Sequence, residues 1–311
     1  MNAIVDFPVF DARAKYETLQ LEYVRDLNAL FSWMTPSTRA CFSSKMLHEI
    51  EAAESLVETH QGHIFDGRQQ TKLDYVIFGS KTPGVFNLGG DLEMFTGAIL
   101  RRDRDSIRYY AKLCIDNVYR RHTGFGAGVM TIALVQGKAL GGGFECALAC
   151  DYIFAERSAT FALPEVLFNL FPGMGAMSFL TRRVGLRRAE EICLSGETYS
   201  AREMHEMGVV DHLVDDESGL AAVRSFIGGR QRRSNAARAI AQARALVNPI
   251  PRSELNGIVD VWVDAALRLD AKDLRMMARL VRAQDRLASV TSDDATVERL
   301  FAEPLSRAAN G

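Results

Sequence analysis

Two glutamates in the segment ALGGGFECALACDYIFAERSATFALPEVLFNLFPGMG, residues 139–175, have the surroundings that acid/base chemistry needs. Glu145 lies three residues after Gly142, so a helix starting at the glycines places its carboxylate on the same face as the Gly142 N–H. Glu165 follows Pro164 in an irregular apolar stretch, where a solvent-facing acid is not expected. In such surroundings desolvation and mutual repulsion keep one carboxyl protonated while the other is ionised. The run Gly141, Gly142, Gly143 at a strand-to-helix junction lets a ligand approach the backbone and leaves unpaired helix N-terminal N–H groups for a carbonyl oxygen. Leu88-Gly89-Gly90-Asp91 offers a second such donor directly before another helix. Each feature has a plainer reading. A glycine run is commonly a flexible turn, Glu145 could only complement a helix dipole, and Glu165 could be a buried ion-pair partner. Their combination favours an oxyanion-stabilising acid/base site.

The elements that position these residues follow from periodicity. Leu19 to about Trp33 reads as two strands around a turn at Arg25, Asp26 and Asn28, followed by a helix over residues 44–58. Residues 75–78 and 129–135 are buried strand candidates, with helices near 92–100 and 106–121 between them. A helix opening at the glycines precedes a strand at 152–155, and this alternation points to a layered α/β domain with parallel pairing. Ser200 and Glu203 form a capping box, Gly208 fits the residue beyond that helix, and residues 209–214 read as one more strand. Beyond Gly219 the pattern is helical almost to Ala288, with breaks expected at Gly228-Gly229 and at Pro249 and Pro251. The expected organisation is an α/β core over 1–218, a helical region over 219–290 and a loosely ordered tail over 291–311.

With Gly90 before Asp91, Gly142 three residues before Glu145, and Glu165 in that order, the chain resembles the crotonase (enoyl-CoA hydratase/isomerase) superfamily. The later segment SAREMHEMGVVDHLV also resembles the family's helix-strand signature. The resemblance implies the crotonase fold of repeated ββα units, an acyl-thioester substrate, Glu145 and Glu165 as catalytic acid and base, and Gly90 and Gly142 as oxyanion-hole donors. Which glutamate is acid and which is base stays open. The motifs NLGGDLEMF and LPEVLFNLFPGMGAMSF and the ending WVDAALRLDAKDLRMMARLVRAQ depart from ordinary hydratases and resemble the diffusible signal factor synthases. That subfamily dehydrates a 3-hydroxyacyl chain on acyl carrier protein and cleaves the thioester, releasing a cis-2-unsaturated fatty acid. It implies an acyl pocket at Met174, Trp262, Met276 and Leu280 and in some members binding of a sensor-kinase receiver domain, while the wider crotonase resemblance implies a homotrimer. The stripe of Trp262 with Leu255, Ile258, Val259 and Ala266 equally suits plain core packing. The rival functions are a generic enoyl-CoA hydratase or isomerase, and a silent regulatory partner.

Composition narrows the field. A formal net charge of −2 and a pI near 6.3 argue against a dedicated nucleic-acid binder. Five scattered cysteines read as reduced core residues, the N-terminal stretch lacks the order of a secretory signal, and the longest uncharged run, 166–181, is too short and too broken to span a bilayer, so a cytoplasmic protein is expected. No metal and no cofactor are expected, the substrate being carried on acyl carrier protein or coenzyme A. The spacing of His60 and His63 lacks companions for a metal, and Gly124, Gly126 and Gly128 follow a helix and precede a strand, the reverse of a dinucleotide motif. Arginines 182, 183, 187 and 188, or 230, 232, 233 and 238, could meet an acidic carrier or its phosphates, or be a solvated face.

Overall fold

The computed structural model describes residues 15–65, 69–230 and 234–289; Arg232, Arg233 and the tail lie outside them. Its first half runs β1 (Leu19–Val24), β2 (Ala29–Met34), α1 (Ser44–Thr59), β3 (His63–Phe65), β4 (Gln70–Lys72), β5 (Tyr75–Ser80), β6 (Val85–Asn87), α2 (Leu92–Leu100) and α3 (Arg104–His122). Then follow β7 (Met130–Val135), β8 (Lys138–Leu140), α4 (Gly142–Leu148), β9 (Tyr152–Glu156), β10 (Thr160–Ala162), a 3₁₀ turn (Pro164–Phe168), α5 (Ala176–Val184), α6 (Leu186–Ser195), β11 (Thr198–Ser200), α7 (Ala201–Glu206) and β12 (His212–Val214). Four helices close the described chain: α8 (Gly219–Arg230), α9 (Ser234–Val247), α10 (Arg252–Ala266) and α11 (Ala271–Ser289).

The large sheet has the order β1-β2-β5-β7-β9-β12, antiparallel only between β1 and β2. Its central strands are buried on both faces, as parallel strands covered by helices must be. All six residues of β7 are buried. Met130, Ile132 and Leu134 join Phe31, Trp33 and Ile77 under Val223 and Ile227 of α8, while Ala133 and Val135 face the larger core beneath α1, α3 and α4. This is the period of two that separates the faces of a strand.

A second sheet, β11-β10-β8-β6, is built from strands of three residues. Within it β6, β8 and β10 are parallel neighbours, so their C-terminal ends lie side by side. The three segments leaving those ends are Leu88–Gly90, Gly141–Gly142 and Leu163–Glu165, which is how every residue of the expected acid/base and oxyanion set reaches one place.

The architecture is mixed α/β with a helical C-terminal region, the arrangement that the crotonase resemblance implies. Two local expectations need correction. The strand expected over 209–214 is confined to His212–Val214, because the N–H groups of Val209 and Val210 both turn back to the Met204 carbonyl and close α7. No break occurs at Gly228-Gly229: α8 continues to Arg230 with open space around both glycines. The Ser200–Glu203 capping box is present, and the breaks at Pro249 and Pro251 separate α9 from α10.

Candidate active site

Glu145 sits on α4 and is 1% exposed; its Oε1 accepts the N–H groups of Met174 at 2.7 Å and Ala176 at 3.0 Å. Glu165 lies in the 3₁₀ turn, half-buried as a residue, yet its Oε2 is shielded from solvent and has no hydrogen-bond partner among the described residues. An unpartnered buried carboxyl oxygen is costly, and protonation or a bound substrate atom removes the cost.

Two trans peptides set the directions of the oxyanion donors. In a planar trans peptide the N–H points opposite to the C=O of the preceding residue. The Gly89 carbonyl accepts the Phe42 N–H at 2.8 Å, which turns the Gly90 N–H away from Phe42. The Gly141 carbonyl accepts the Glu145 N–H at 3.0 Å inside α4, which turns the Gly142 N–H outward from that helix. Gly90 and Gly142 line the same cavity as both glutamates, and a Cβ placed on Gly142 would lie 3.6 Å from the Gly90 nitrogen. Gly89, at φ +95°, is required to be glycine, since a Cβ there would stand 2.9 Å from the Leu140 carbonyl oxygen.

Tyr110 secures one donor. Its buried hydroxyl donates to the Phe42 carbonyl and accepts the Asp91 N–H at 3.2 Å, tying together the two segments that flank Gly90. Tyr110→Phe removes this tie, and kcat for enoyl-thioester hydration is expected to fall about tenfold, a fraction of the loss from deleting a donor outright. Steady-state kinetics check this, with an unchanged kcat refuting the role.

Of the expected acyl-pocket residues, Met174 and Trp262 line the cavity; the Trp262 ring lies edge-on to Phe95 with centroids 5.1 Å apart and covers the Gly173 backbone so closely that a Cβ would meet it at 2.3 Å. Met276 and Leu280 do not line it. They are half-buried against the core on other faces of α11, and Met277 takes the cavity position, its Sδ accepting the Thr96 hydroxyl at 3.1 Å. The wall formed by α1 and α3, with Leu47, Ile50, Cys114, Asn117 and Arg121, escaped the sequence reading. Its trace is the α3 spacing of Tyr110, Cys114, Val118 and Arg121, which places them on one helical face.

A sequence profile of the enoyl-CoA hydratase/isomerase family matches residues 45–252, which include both glutamates and both donor glycines. The chain belongs to that family. It is 32% identical over 209 residues to the probable enoyl-CoA hydratase echA8 of Mycobacterium leprae, covering 64% of this chain and 70% of that one. The mevalonyl-coenzyme A hydratase SIDH of Beauveria bassiana is 51% identical over 85 residues, and the chain spans only 30% of that relative's length. Among solved structures, an enoyl-CoA hydratase from Bacillus halodurans superposes with a TM-score of 0.70 at 20% identity, covering 84% of this chain and 99% of that one. Pseudomonas aeruginosa DspI superposes with a TM-score of 0.65 at 23% identity, covering 82% and 98%.

For this hydratase-family site, burial pushes the Glu145 carboxyl up to about 7, against the two backbone N–H bonds that favour its charge. Burial, and then the neighbouring Glu145 charge, push Glu165 up to about 8. Both shifts are upward and belong to the pair, and the two backbone N–H bonds favour the negative charge on Glu145. Activity is expected to be bell-shaped in kcat/KM. It falls as pH drops below about 7 and the base is protonated, and falls as pH rises above about 8 and the acid is lost. A flat profile across that range would contradict the acid/base pairing of Glu145 and Glu165. Cys114 and Cys146 also line the cavity, but burial pushes both thiols upward, away from the thiolate a nucleophile needs.

Among the described residues no group of three or more His, Cys, Asp or Glu is arranged to hold a metal, and no helix is long and apolar enough to cross a membrane. The arginine groups are partly committed: Arg182 grips Glu254 and the Pro249 carbonyl, Arg183 reaches Asp211 and the Cys150 carbonyl, and Arg238 pairs with Asp74. Arg187 and Arg188 stay exposed beside Glu191.

Proposed function

We propose that this enzyme makes a cis-2-unsaturated fatty acid signal by dehydrating a 3-hydroxyacyl thioester and then hydrolysing the thioester. The observation that carries the reading is the lining of one cavity by two shielded carboxyls and two donor glycines, with no thiol lowered toward a thiolate. The segments that set this chain apart from ordinary hydratases also build the cavity. LPEVLFNLFPGMGAMSF supplies Glu165, Phe168, Leu170, Gly173 and Met174 and the two N–H groups on Glu145, while the C-terminal helices add Trp262 and Met277.

The proton balance closes over both reactions. With the thioester oxygen on the Gly90 and Gly142 N–H groups, ionised Glu145 takes the C2 proton and the electron pair forms the C2–C3 double bond. The C3–O bond breaks as Glu165 gives its proton to the leaving hydroxyl. Glu165, now a carboxylate with a free oxygen, takes a proton from water as it attacks the thioester carbon. The C–S bond breaks and Glu145 returns its proton to the departing thiolate, restoring the starting state. No serine or cysteine nucleophile is needed, since an anion site and a positioned base suffice.

Acyl carrier protein is the proposed carrier, with exposed Arg187 and Arg188 available to its acidic surface. The exposed apolar side chains Ile240, Leu246 and Val247 of α9 support assembly into a homotrimer. Incubation with 3-hydroxydodecanoyl-acyl carrier protein, followed by mass spectrometry, is expected to yield free cis-2-dodecenoic acid, lost in the Glu145→Gln/Glu165→Gln variant. Hydration of short enoyl-CoA without acid release would instead establish the second reading, a generic hydratase, which the family match favours. Absence of both activities would move a regulatory role forward, with binding to a sensor-kinase receiver domain as its next test.

A further inference from the structure

Residues of α1 and α3 also line the cavity. Leu47 and Ile50 line one side, Cys114 and Val118 the other, and the polar lining lies with Asn117 and Arg121. Tyr110, beside Gly90, and Arg121 are 11 residues apart on α3, about 16 Å along the helix axis. Apart from the two catalytic carboxyls, Arg121 is the one charged residue in the lining among the described residues. It is 3% exposed and held on several sides: Nε donates to Glu54 Oε1 at 2.6 Å, Nη1 donates to Cys146 Sγ, and the guanidinium lies 4.3 Å from the centre of the Phe78 ring. Glu54 is itself buried, and its second oxygen has no partner among the described residues. The acid/base cycle gives this pair no task.

We propose that the Arg121–Glu54 pair is an end stop that sets the longest acyl chain the enzyme accepts. The proposal rests on the acyl-thioester reading of the cavity, but not on release of a free acid. A chain that reaches Arg121 must push the guanidinium off Glu54, exposing two buried charges to an apolar wall. Breaking a buried pair is penalised far more than shifting an apolar side chain, so discrimination is sharp. A purely apolar end would instead yield gradually as neighbouring side chains repack.

The test measures hydration of even-numbered trans-2-enoyl-CoA chains from butenoyl to hexadecenoyl, with calorimetric binding of the matching saturated acyl-CoAs as a readout that needs no turnover. For the native enzyme, kcat/KM and affinity are expected to rise with length and then fall on the order of a hundredfold within one two-carbon step. In Arg121→Leu/Glu54→Leu, which replaces the pair by apolar volume that buried sites tolerate, the step is expected to move to longer chains. The ratio of long-chain to butenoyl kcat/KM should rise at least about tenfold across the former limit. A gradual decline in the native enzyme, or an unmoved step in the double variant, overturns the stop. If the double variant does not fold, the native profile alone decides. Free acid is followed separately on carrier-bound substrate, so a failed signal-synthase reading stays distinct from a failed stop.

Discussion

Glu165→Gln is expected to lower dehydration of a 3-hydroxyacyl thioester, and the reverse hydration, by on the order of 10³ or more, with a comparable loss for Glu145→Gln. Glutamine keeps the shape of either side chain but can neither take nor give a proton in the reaction. At Glu145 the amide oxygen can still accept the Met174 and Ala176 N–H groups, so the cavity wall stays in place and the loss reads as chemistry rather than collapse. The two residues serve one elimination step as a unit, so the double variant should be little worse than the poorer single variant. Stability provides an independent check with a definite sign. Both carboxyls are raised in the folded protein, so their contribution favours folding at low pH and is lost as pH rises through about 7 and about 8. The glutamine variants should therefore match the native protein near pH 4 and melt higher than it above pH 8. Single-turnover assays by mass spectrometry and melting curves at the two pH values read both effects. Near-native turnover in either variant would remove the acid/base assignment.

Much of this site was legible in the sequence because its chemistry is written in close succession. Gly142 and Glu145 lie on one short helix, and Pro164 marks the turn that carries Glu165. The buried strands β5 and β7 were legible as continuous apolar runs, and the helices α1 and α3 as patterns long enough to show a period. The second sheet was not. Strands of three residues, such as β6, β8 and β10, are too short to display alternation, yet they alone bring Gly90, Gly142 and Glu165 together. The register of α11 failed for another reason. That helix is apolar on two sides, with Met276 and Leu280 on one stripe and Met277 on the other, and tertiary packing against α2 selects Met277. A buried arginine such as Arg121 is equally opaque, because its partner Glu54 is 67 residues away in the chain.

Gly141→Ala is expected to cost about 10² or more in kcat, though the residue carries no functional group. Gly141 sits at φ +49° and ψ −122°, a conformation an L side chain rarely adopts, and a Cβ there would stand 2.5 Å from Glu165 Oε1. The same peptide carries the Gly141 carbonyl that accepts the Glu145 N–H and so aims the Gly142 donor. One methyl group therefore displaces the acid and tilts a donor together, and an error of about 1 Å at a reacting centre suffices for such a loss. Backbone strain of roughly 1–3 kcal/mol should also lower the melting temperature. Gly185→Ala separates the two effects. Gly185, between α5 and α6, is at φ +82°, but open space surrounds its Cβ position. It should share the thermal loss and keep native kcat. Equal activity losses in both variants would mean that strain anywhere in the fold disables the enzyme. A loss confined to Gly141→Ala would mean that the glycine is there to leave room for the Glu165 carboxyl.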